Sequence, residues 1–514
     1  MSDVSEGRLH EGALALDCDV VVVGSGAGGM VAATILAESG LDVLVLEEGK
    51  RLHAAVHGKM RQSQSLRHIW RDGGMSMAFG TGGTPAINVT MGVGVGGSSM
   101  VTGGVCLRVP EGILAPWSRE LGLEELTPDG MDPYYREVER AVHVEEVPVE
   151  MQSRSTQLFG EGAAALGHPI RPLTRNTKGC NGCGRCNFGC PEQAKMSVDL
   201  SYLPRLLAAG GRIWSDCLVQ KVVHEGGRAT GVRGRLLNRP GRKRGDRFEV
   251  RAKVVLVACG GLHTPVLLKS SGLAPFGSQV GRNLTLHPGF RVFAAFDEEV
   301  RGWEGAMQSA YTDAFEEDHV TLMSLFIPGS VIAATMPGAG PKHHARAATL
   351  PHIAMFGAMV HDEGPGVVRR GIGREPFTTY RMSKKDRAAM YRGIRLLAET
   401  FLAAGAKQLY LPVLGEDVFS PDRYRRFELE RVPGARIECS SQHPLGSCQM
   451  SRSAGEGGVD PDGKLWDAEN VFVCDGSVIP TSLGVNPQLT IMAMATRIAQ
   501  KLRGRYRALA RRAA

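Results

Sequence analysis

The sequence predicts an α/β protein with a Rossmann-like dinucleotide-binding domain and a second, α+β domain whose sheet is mostly antiparallel. Three observations predict it. A strand, glycine turn, helix and strand follow one another near the start, and β-rich text with hairpin signals fills the middle. The 514 residues also exceed the ~100–200 of a single domain. Hydrophobic residues at 43% and charged ones at 22% exclude a disordered chain and a coiled coil. The 66 glycines form clusters without a triplet period, which excludes collagen and marks sites of close backbone approach.

The first unit is DVVVVGSGAGGMVAATILAESGLDVLVLEEG, Asp19–Gly49. A buried-strand run at Val20–Val23 meets a glycine turn. A helix-period segment, Met30–Glu38, and a second strand, Asp42–Leu46, complete a βαβ unit. Gly24 permits the tight turn, Gly26 lets backbone approach a pyrophosphate, and Gly29 allows close helix–strand packing. The helix N-terminus offers amides and a favourable dipole to phosphate. Glu47 stands 18 residues beyond Gly29, placed to accept from a ribose hydroxyl. The motif alone leaves FAD and NAD both open.

A second glycine cluster, Gly92–Pro110, is too glycine-rich for a strand and too apolar for a linker, and suits wrapping around a flat ligand. From about Gly211 the text is β-rich. EGGR at Glu225–Arg228 reads as a hairpin turn, and a further strand, glycine turn and helix lead to Gly272. Between about Phe290 and Ile437, apolar strands (Val320–Phe326, Ile353–Val360) accompany a helical stretch, Lys384–Ala404, with no phosphate-binding pattern. Beyond it lie a short strand in Asn470–Asp475 and an apolar helix, Pro487–Leu502.

The net charge is a mild +7, concentrated in GRKRGDR (Gly241–Arg247) and the tail Lys501–Ala514. The tail reads as a solvated helix, with peripheral contact to an anionic membrane as the alternative. Basic patches with interleaved aromatics are absent, so nucleic acid is not expected as a partner. No apolar run approaches the ~18–20 residues of a membrane span, and the first residues lack the pattern of a signal peptide. A cytoplasmic location is the expectation, with cysteines reduced.

Six segments in order resemble the glucose–methanol–choline (GMC) oxidoreductases, over nearly the whole chain. They are the fingerprint ending in VLEEG, the GGSS loop Gly96–Ser99, GGLHTPVLLKSSG at Gly260–Gly272, and GRNLTLHPG at Gly281–Gly289. SSQHPLGSCQM at Ser440–Met450 and CDGSVIPTSLGVNPQLTIMAMA at Cys474–Ala495 complete the series. The middle region is most similar to long-chain alcohol oxidases and sterol oxidase-like members. The resemblance implies an FAD domain of three pieces (14–115, 200–289 and 455–514), a cap or linker with a cysteine cluster (116–199), and a substrate domain (290–454).

It further implies that Gly24, Gly26, Gly29 and Glu47 hold the ADP part of FAD, and that Gly97 and Ser98 lie along the flavin. Val219 falls near the adenine, and Asp475 and Gly476 at the pyrophosphate–ribitol. Thr102 departs from the Asn common in related members and brings a hydroxyl to the flavin side. The catalytic pair maps onto His443 and Asn486. Alcohol oxidation removes a hydroxyl proton and passes the α-hydrogen as hydride to flavin N5. An imidazole can take that proton while an amide fixes the oxygen. Outside this motif order, His443 suits a satisfied core histidine and Asn486 a helix N-cap before Pro487. His287 is expected to brace structure.

Cys180, Cys183, Cys186 and Cys190 read C-x2-C-x2-C-x3-C-P. That is ferredoxin-like spacing and favours an iron–sulfur cluster over zinc, either [4Fe-4S] or, without Cys190, [3Fe-4S]. The alternative is a metal-free loop shaping the substrate entrance. With a cluster, electrons leave for a redox protein or quinone and the enzyme is a dehydrogenase; without one, O2 is the acceptor. A lyase with a non-redox flavin is the reading from a different class.

Overall fold

In the computed structural model, residues 4–237, 245–336, 338–416 and 418–511 are described. Positions 241–244 of the basic loop and 512–514 of the tail lie outside them. An eight-stranded sheet runs Ser5–Glu6, Arg212–Ser215, Val43–Leu46, Leu14–Val23, Arg247–Val257, Arg228–Leu236, Cys217–Glu225. Val471–Val473 is a further neighbour of Arg247–Val257. The strands from Ser5–Glu6 to Arg247–Val257, and Val471–Val473, are parallel, and the last two form an antiparallel hairpin. Val20–Val23, Val43–Leu46 and Val254–Val257 are all buried, as expected of parallel strands covered on both faces. In the hairpin Glu225 pairs with Arg228, and Gly226 and Gly227 both take positive φ, as a two-residue primed turn requires.

The second sheet has eleven strands and is mostly antiparallel. Its order is Gly366–Arg370, Pro376–Tyr380, Met77–Gly80, Ile87–Val89, Cys439–Ser441, Gly289–Ala295, Ile353–Val360, Val320–Ser324, Ala310–Thr312, Arg171–Pro172. Gln408–Tyr410 also pairs with Gly289–Ala295. The helix Lys384–Ala403 packs on it and starts at a capping box, with Ser383 Oγ accepting from Asp386 N and the Asp386 carboxylate accepting from Ser383 N.

The sheets divide the chain differently from the expected segments. Met77–Gly80 and Ile87–Val89, expected in the first domain, belong to the second sheet. Their partners, Pro376–Tyr380 and Cys439–Ser441, are hundreds of residues away, and two or three paired residues leave no periodic signal. Conversely, Trp117, Met131, Tyr135, Leu445 and Cys448 join the core of the first domain. The last helix spans Gln488–Arg511, beyond the expected Leu502, because Leu502 and Tyr506 extend its buried stripe at i, i+4 spacing. Lys501 and Arg505 of the basic tail pair with Glu125 and Asp462. Among the described residues, no helix is long and apolar enough to cross a membrane.

Candidate active site

The turn after Leu14–Val23 works as the glycine pattern requires. Gly24 has φ +102°, and a Cβ there would lie 2.3 Å from Ala258 O. A Cβ on Gly29 would lie 2.1 Å from Gly24 O, so helix and strand touch through backbone. Gly28, which the fingerprint reading passed over, is as tight: its Cβ would meet Cys474 O at 2.0 Å. Gly26 differs. A Cβ there meets nothing within 4 Å, because the residue faces a cavity of about 580 Å³.

Gly24, Gly26, Glu47, Gly97, Ser98, Val219, Asp475 and Gly476 all line that cavity, whereas Gly29 is packed behind it and Thr102 lies farther on. Glu47 is buried; it accepts from Ser25 N (3.0 Å), Ser25 Oγ (2.7 Å) and Gly49 N (2.8 Å). Asp475 accepts from Gly260 N (2.8 Å), Thr264 Oγ1 (2.5 Å), and Ser477 N and Oγ (2.8 and 2.5 Å). It thereby ties the end of Val471–Val473 to the start of the helix Gly260–Ser271. Open backbone at Gly26, a helix N-terminus and an elongated cavity fit a dinucleotide.

A second cavity of about 220 Å³ meets the first at Ser98, Gln442, His443 and Pro487. Its walls carry Thr102, Gln308, His287, Asn486 and Gln488 among apolar Phe290, Met323, Leu325, Ile327 and Met359. Thr102 Oγ1 lies 3.0 Å from Gln488 Oε1 and 3.2 Å from Ser99 O. His443 and Asn486 come together here, Nε2 to Nδ2 at 3.4 Å, and Asn486 Oδ1 is buried without a partner. Burial pushes His443 down to about 4, so the ring is neutral at physiological pH.

His287 stands behind His443, with Nδ1 to Nδ1 at 3.2 Å, and accepts from Leu483 N at Nε2 (2.8 Å). Its backbone has φ +47°, in the left-handed region that few residues other than glycine adopt, and its N–H is held by Asp362. That buried carboxylate accepts from Leu286 N (2.8 Å), His287 N (3.0 Å), Ser482 Oγ (3.0 Å) and the Tyr380 hydroxyl, while burial raises it to about 6. Sequence reading reached His287 as a brace and missed Asp362, which sits in an unmarked loop between strands.

Cys180, Cys183, Cys186 and Cys190 line one small cavity. Two buried cations adjoin it. Arg175 donates to Cys186 Sγ (2.9 Å) and Gly103 O (2.9 Å). Lys195 donates to Met100 O (2.6 Å), Thr102 O (3.0 Å) and Cys186 O (2.8 Å). Burial lowers Lys195 to about 8. Among the described residues, however, no group of three or more His, Cys, Asp or Glu side chains is gathered to hold a metal ion. The expected four-cysteine ligand set thus appears as thiols around one cavity, with a cationic wall suited to a negatively charged occupant.

The GMC oxidoreductase family models match residues 18–289 and 375–495, which include both glycine clusters, His443 and Asn486. The chain belongs to the GMC oxidoreductase family. It is a flavin-dependent oxidoreductase, and FAD is its cofactor. An uncharacterized GMC-type oxidoreductase of Mycobacterium tuberculosis (strain ATCC 25618 / H37Rv) is 35% identical over 484 residues, 94% of this chain and 75% of that relative. Long-chain-alcohol oxidase FAO1 of Arabidopsis thaliana is 30% identical over 530 residues, covering 95% and 67%. Among solved structures, a pyridoxine 4-oxidase from Mesorbium loti superposes with TM-score 0.71 at 18% identity, covering 94% and 99%. A formate oxidase gives 0.73 at 16%, covering 96% and 100%. These last two show that this GMC oxidoreductase shares their fold.

Proposed function

We propose that this GMC oxidoreductase oxidises an alcohol with an apolar body to an aldehyde or ketone, with His443 as base and Asn486 holding the hydroxyl oxygen. The observation that carries this is the convergence of a neutral His443 and an Asn486 with an unpartnered oxygen, at the mouth joining the dinucleotide cavity to an apolar one. FAD, when bound, supplies the acceptor for the hydride that leaves the carbinol carbon. The apolar wall of Phe290, Met323, Leu325, Ile327 and Met359 shields the substrate from water, which strengthens each hydrogen bond to the oxygen.

Taking the alcohol proton at His443 Nε2 requires a lone pair there, so that His443 donates from Nδ1 to His287 Nδ1. The Leu483 N–H favours the opposite order, with the His287 proton on Nδ1 and the His443 proton on Nε2. Freeing Nε2 therefore switches both ring tautomers and leaves Leu483 N–H unsatisfied, at a cost of about 1–3 kcal/mol. Anaerobic bleaching of the flavin by a fatty alcohol tests the reading. An unbleached flavin with turnover lacking net redox would support the lyase instead.

A second reading concerns where the electrons go. Arg175 and Lys195 are almost fully buried, at 1% and 3% exposure, with backbone carbonyls and a sulfur as their hydrogen-bond partners. Buried charge is costly without a counter-charge; Lys195 has one in the buried Asp199, whereas Arg175 faces the cysteines. Thiolates of Cys180, Cys183, Cys186 and Cys190 around an iron–sulfur cluster would supply that counter-charge, and would relay electrons outward from the flavin. Iron and acid-labile sulfide in anaerobically purified protein test this. Flavin without iron leaves O2 as the acceptor.

A further inference from the structure

On the strand Gly289–Ala295, alternate residues Gly289, Arg291 and Phe293 share one face. The neighbouring strand Ile353–Val360 opposes them with Met359, Gly357 and Met355. The inner cavity lies over Gly289, Gly357 and Met359. A further cavity of about 350 Å³ lies over Phe293 and Tyr410, walled by Leu411, Val413, Leu414 and Thr335. Gly289, Arg291 and Ser440 line both.

Two glycines keep the shared floor low. A Cβ on Gly357 would come no closer than 3.6 Å to any neighbour, and on Gly289 no closer than 3.2 Å, to Ser440 O. Among the described residues, Arg291 is the one long side chain common to both cavities. Its Nη2 meets Glu438 Oε1 at 3.2 Å, and the Glu438 side chain is 52% exposed. The Arg291 side chain is 24% exposed, so the pair reaches solvent at its carboxylate end, where such contacts contribute little. The inner cavity alone falls below the ~300–1,000 Å³ of ordinary small-molecule sites, and the two in series fall inside that range.

We propose that the outer cavity receives the distal part of the substrate, and that Gly289, Gly357 and the Arg291–Glu438 pair form the passage into it. Resting on the alcohol reading above, this assigns the substrate as an alcohol whose unbranched apolar chain outruns the inner cavity. Its hydroxyl lies at His443 and Asn486, its middle crosses Gly357 beside a displaced Arg291, and its end rests on Phe293, Tyr410 and Leu414. Leu414, 56% exposed, stands at the outer mouth.

The test is a series of primary alcohols from butanol to hexadecanol, read as flavin reduction by the holoenzyme under anaerobic conditions. kcat/KM is expected to rise up to about fourfold per methylene buried, the equivalent of about 0.8 kcal/mol, and to continue rising past the length the inner cavity holds. Thr335→Trp and Leu414→Trp, which fill the outer cavity, are expected to abolish the gain for the longest alcohols by about tenfold or more while leaving butanol unchanged. Gly357→Val is expected to cut the profile off at a shorter length. A wild-type profile that does not rise with length, or outer-cavity variants that keep it, would overturn the passage. Should no alcohol reduce the flavin, binding of dodecanol followed through the flavin absorption band decides separately: binding weakened by Thr335→Trp supports the passage, and unchanged binding refutes it.

Discussion

Around the dinucleotide cavity the decisive atoms belong to the backbone: Gly24, Gly28 and Gly29 press against carbonyl oxygens, and Gly26 is left bare. Around the inner substrate cavity they belong to side chains carried by distant segments: His287, His443, Asn486 and, behind them, Asp362. The first design tolerates almost no change at Gly24, Gly28 and Gly29, where a single added carbon collides with main chain. The second is expected to keep the fold when His443 or Asn486 is substituted, with the cost falling on the rate of the proposed reaction.

The sharpest way to break that contrast is at two neighbouring glycines. Gly28→Val is expected to yield little or no folded protein, because Cys474 O lies 2.0 Å from the new Cβ and cannot move without the strand. Gly26→Val is expected to fold and remain colourless, its side chain standing where the cofactor's phosphates belong. Solubility, circular dichroism and released flavin distinguish the two outcomes, and a yellow Gly26→Val protein would refute the cradle.

On the side-chain half, His443→Ala is expected to keep FAD and slow its reduction by about 100-fold or more, the lower end of general-base assistance. Stopped-flow reduction near the wild-type rate would remove His443 from the mechanism. Asn486→Ala removes one hydrogen bond to the oxygen, and about tenfold slower reduction is expected, equivalent to about 1.4 kcal/mol. A loss as large as that of His443→Ala would mean that the amide does more than position.

A further test is in pH. Burial lowers His443, His57 and His361 to about 4, from about 6.5 in the unfolded chain. Below 6.5 the unfolded chain binds protons that these buried rings refuse, so the unfolded state gains. Stability is expected to be full above pH 6.5 and to fall progressively as pH drops toward 4. Thermal unfolding followed from pH 7.5 to 4.5 checks it, and a constant midpoint would contradict the buried neutral rings.

How much could be read beforehand follows the same contrast. The glycine turn, the hairpin at Gly226 and Gly227, and the helix Lys384–Ala403 all announce themselves, because φ, periodicity and capping are local. His443 and Asn486 were legible only through motif order, since neither residue type marks a site by itself. Asp362 was not legible, because what defines it is proximity to Leu286 and His287, some 75 residues away; Arg175 and Lys195 flank the cysteine run, but nothing in the residue type or pattern marks either as buried against it. Gly28 escaped for a related reason: its constraint comes from Cys474, 446 residues later. The placement of Met77–Gly80 in the second sheet was likewise hidden in a partner near residue 378.

The long strand Arg247–Val257 pairs with Leu14–Val23 on one side and with Arg228–Leu236 and then Val471–Val473 on the other. That arrangement sets an order of events at the ribosome. The flavin-binding sheet acquires its last strand, and the Asp475 knot at its edge, only after the whole second sheet has been synthesised, since the latter's final strand ends at Ser441. At about 5–20 residues per second, the Val255–Val257 run waits roughly 10–40 seconds for this partner. During that interval the second sheet is free to form while the parallel one stays incomplete. Cofactor loading is then a closing step of biogenesis, because Asp475, which lines the dinucleotide cavity, is tied to the Gly260–Ser271 helix only once Val471–Val473 has joined the sheet.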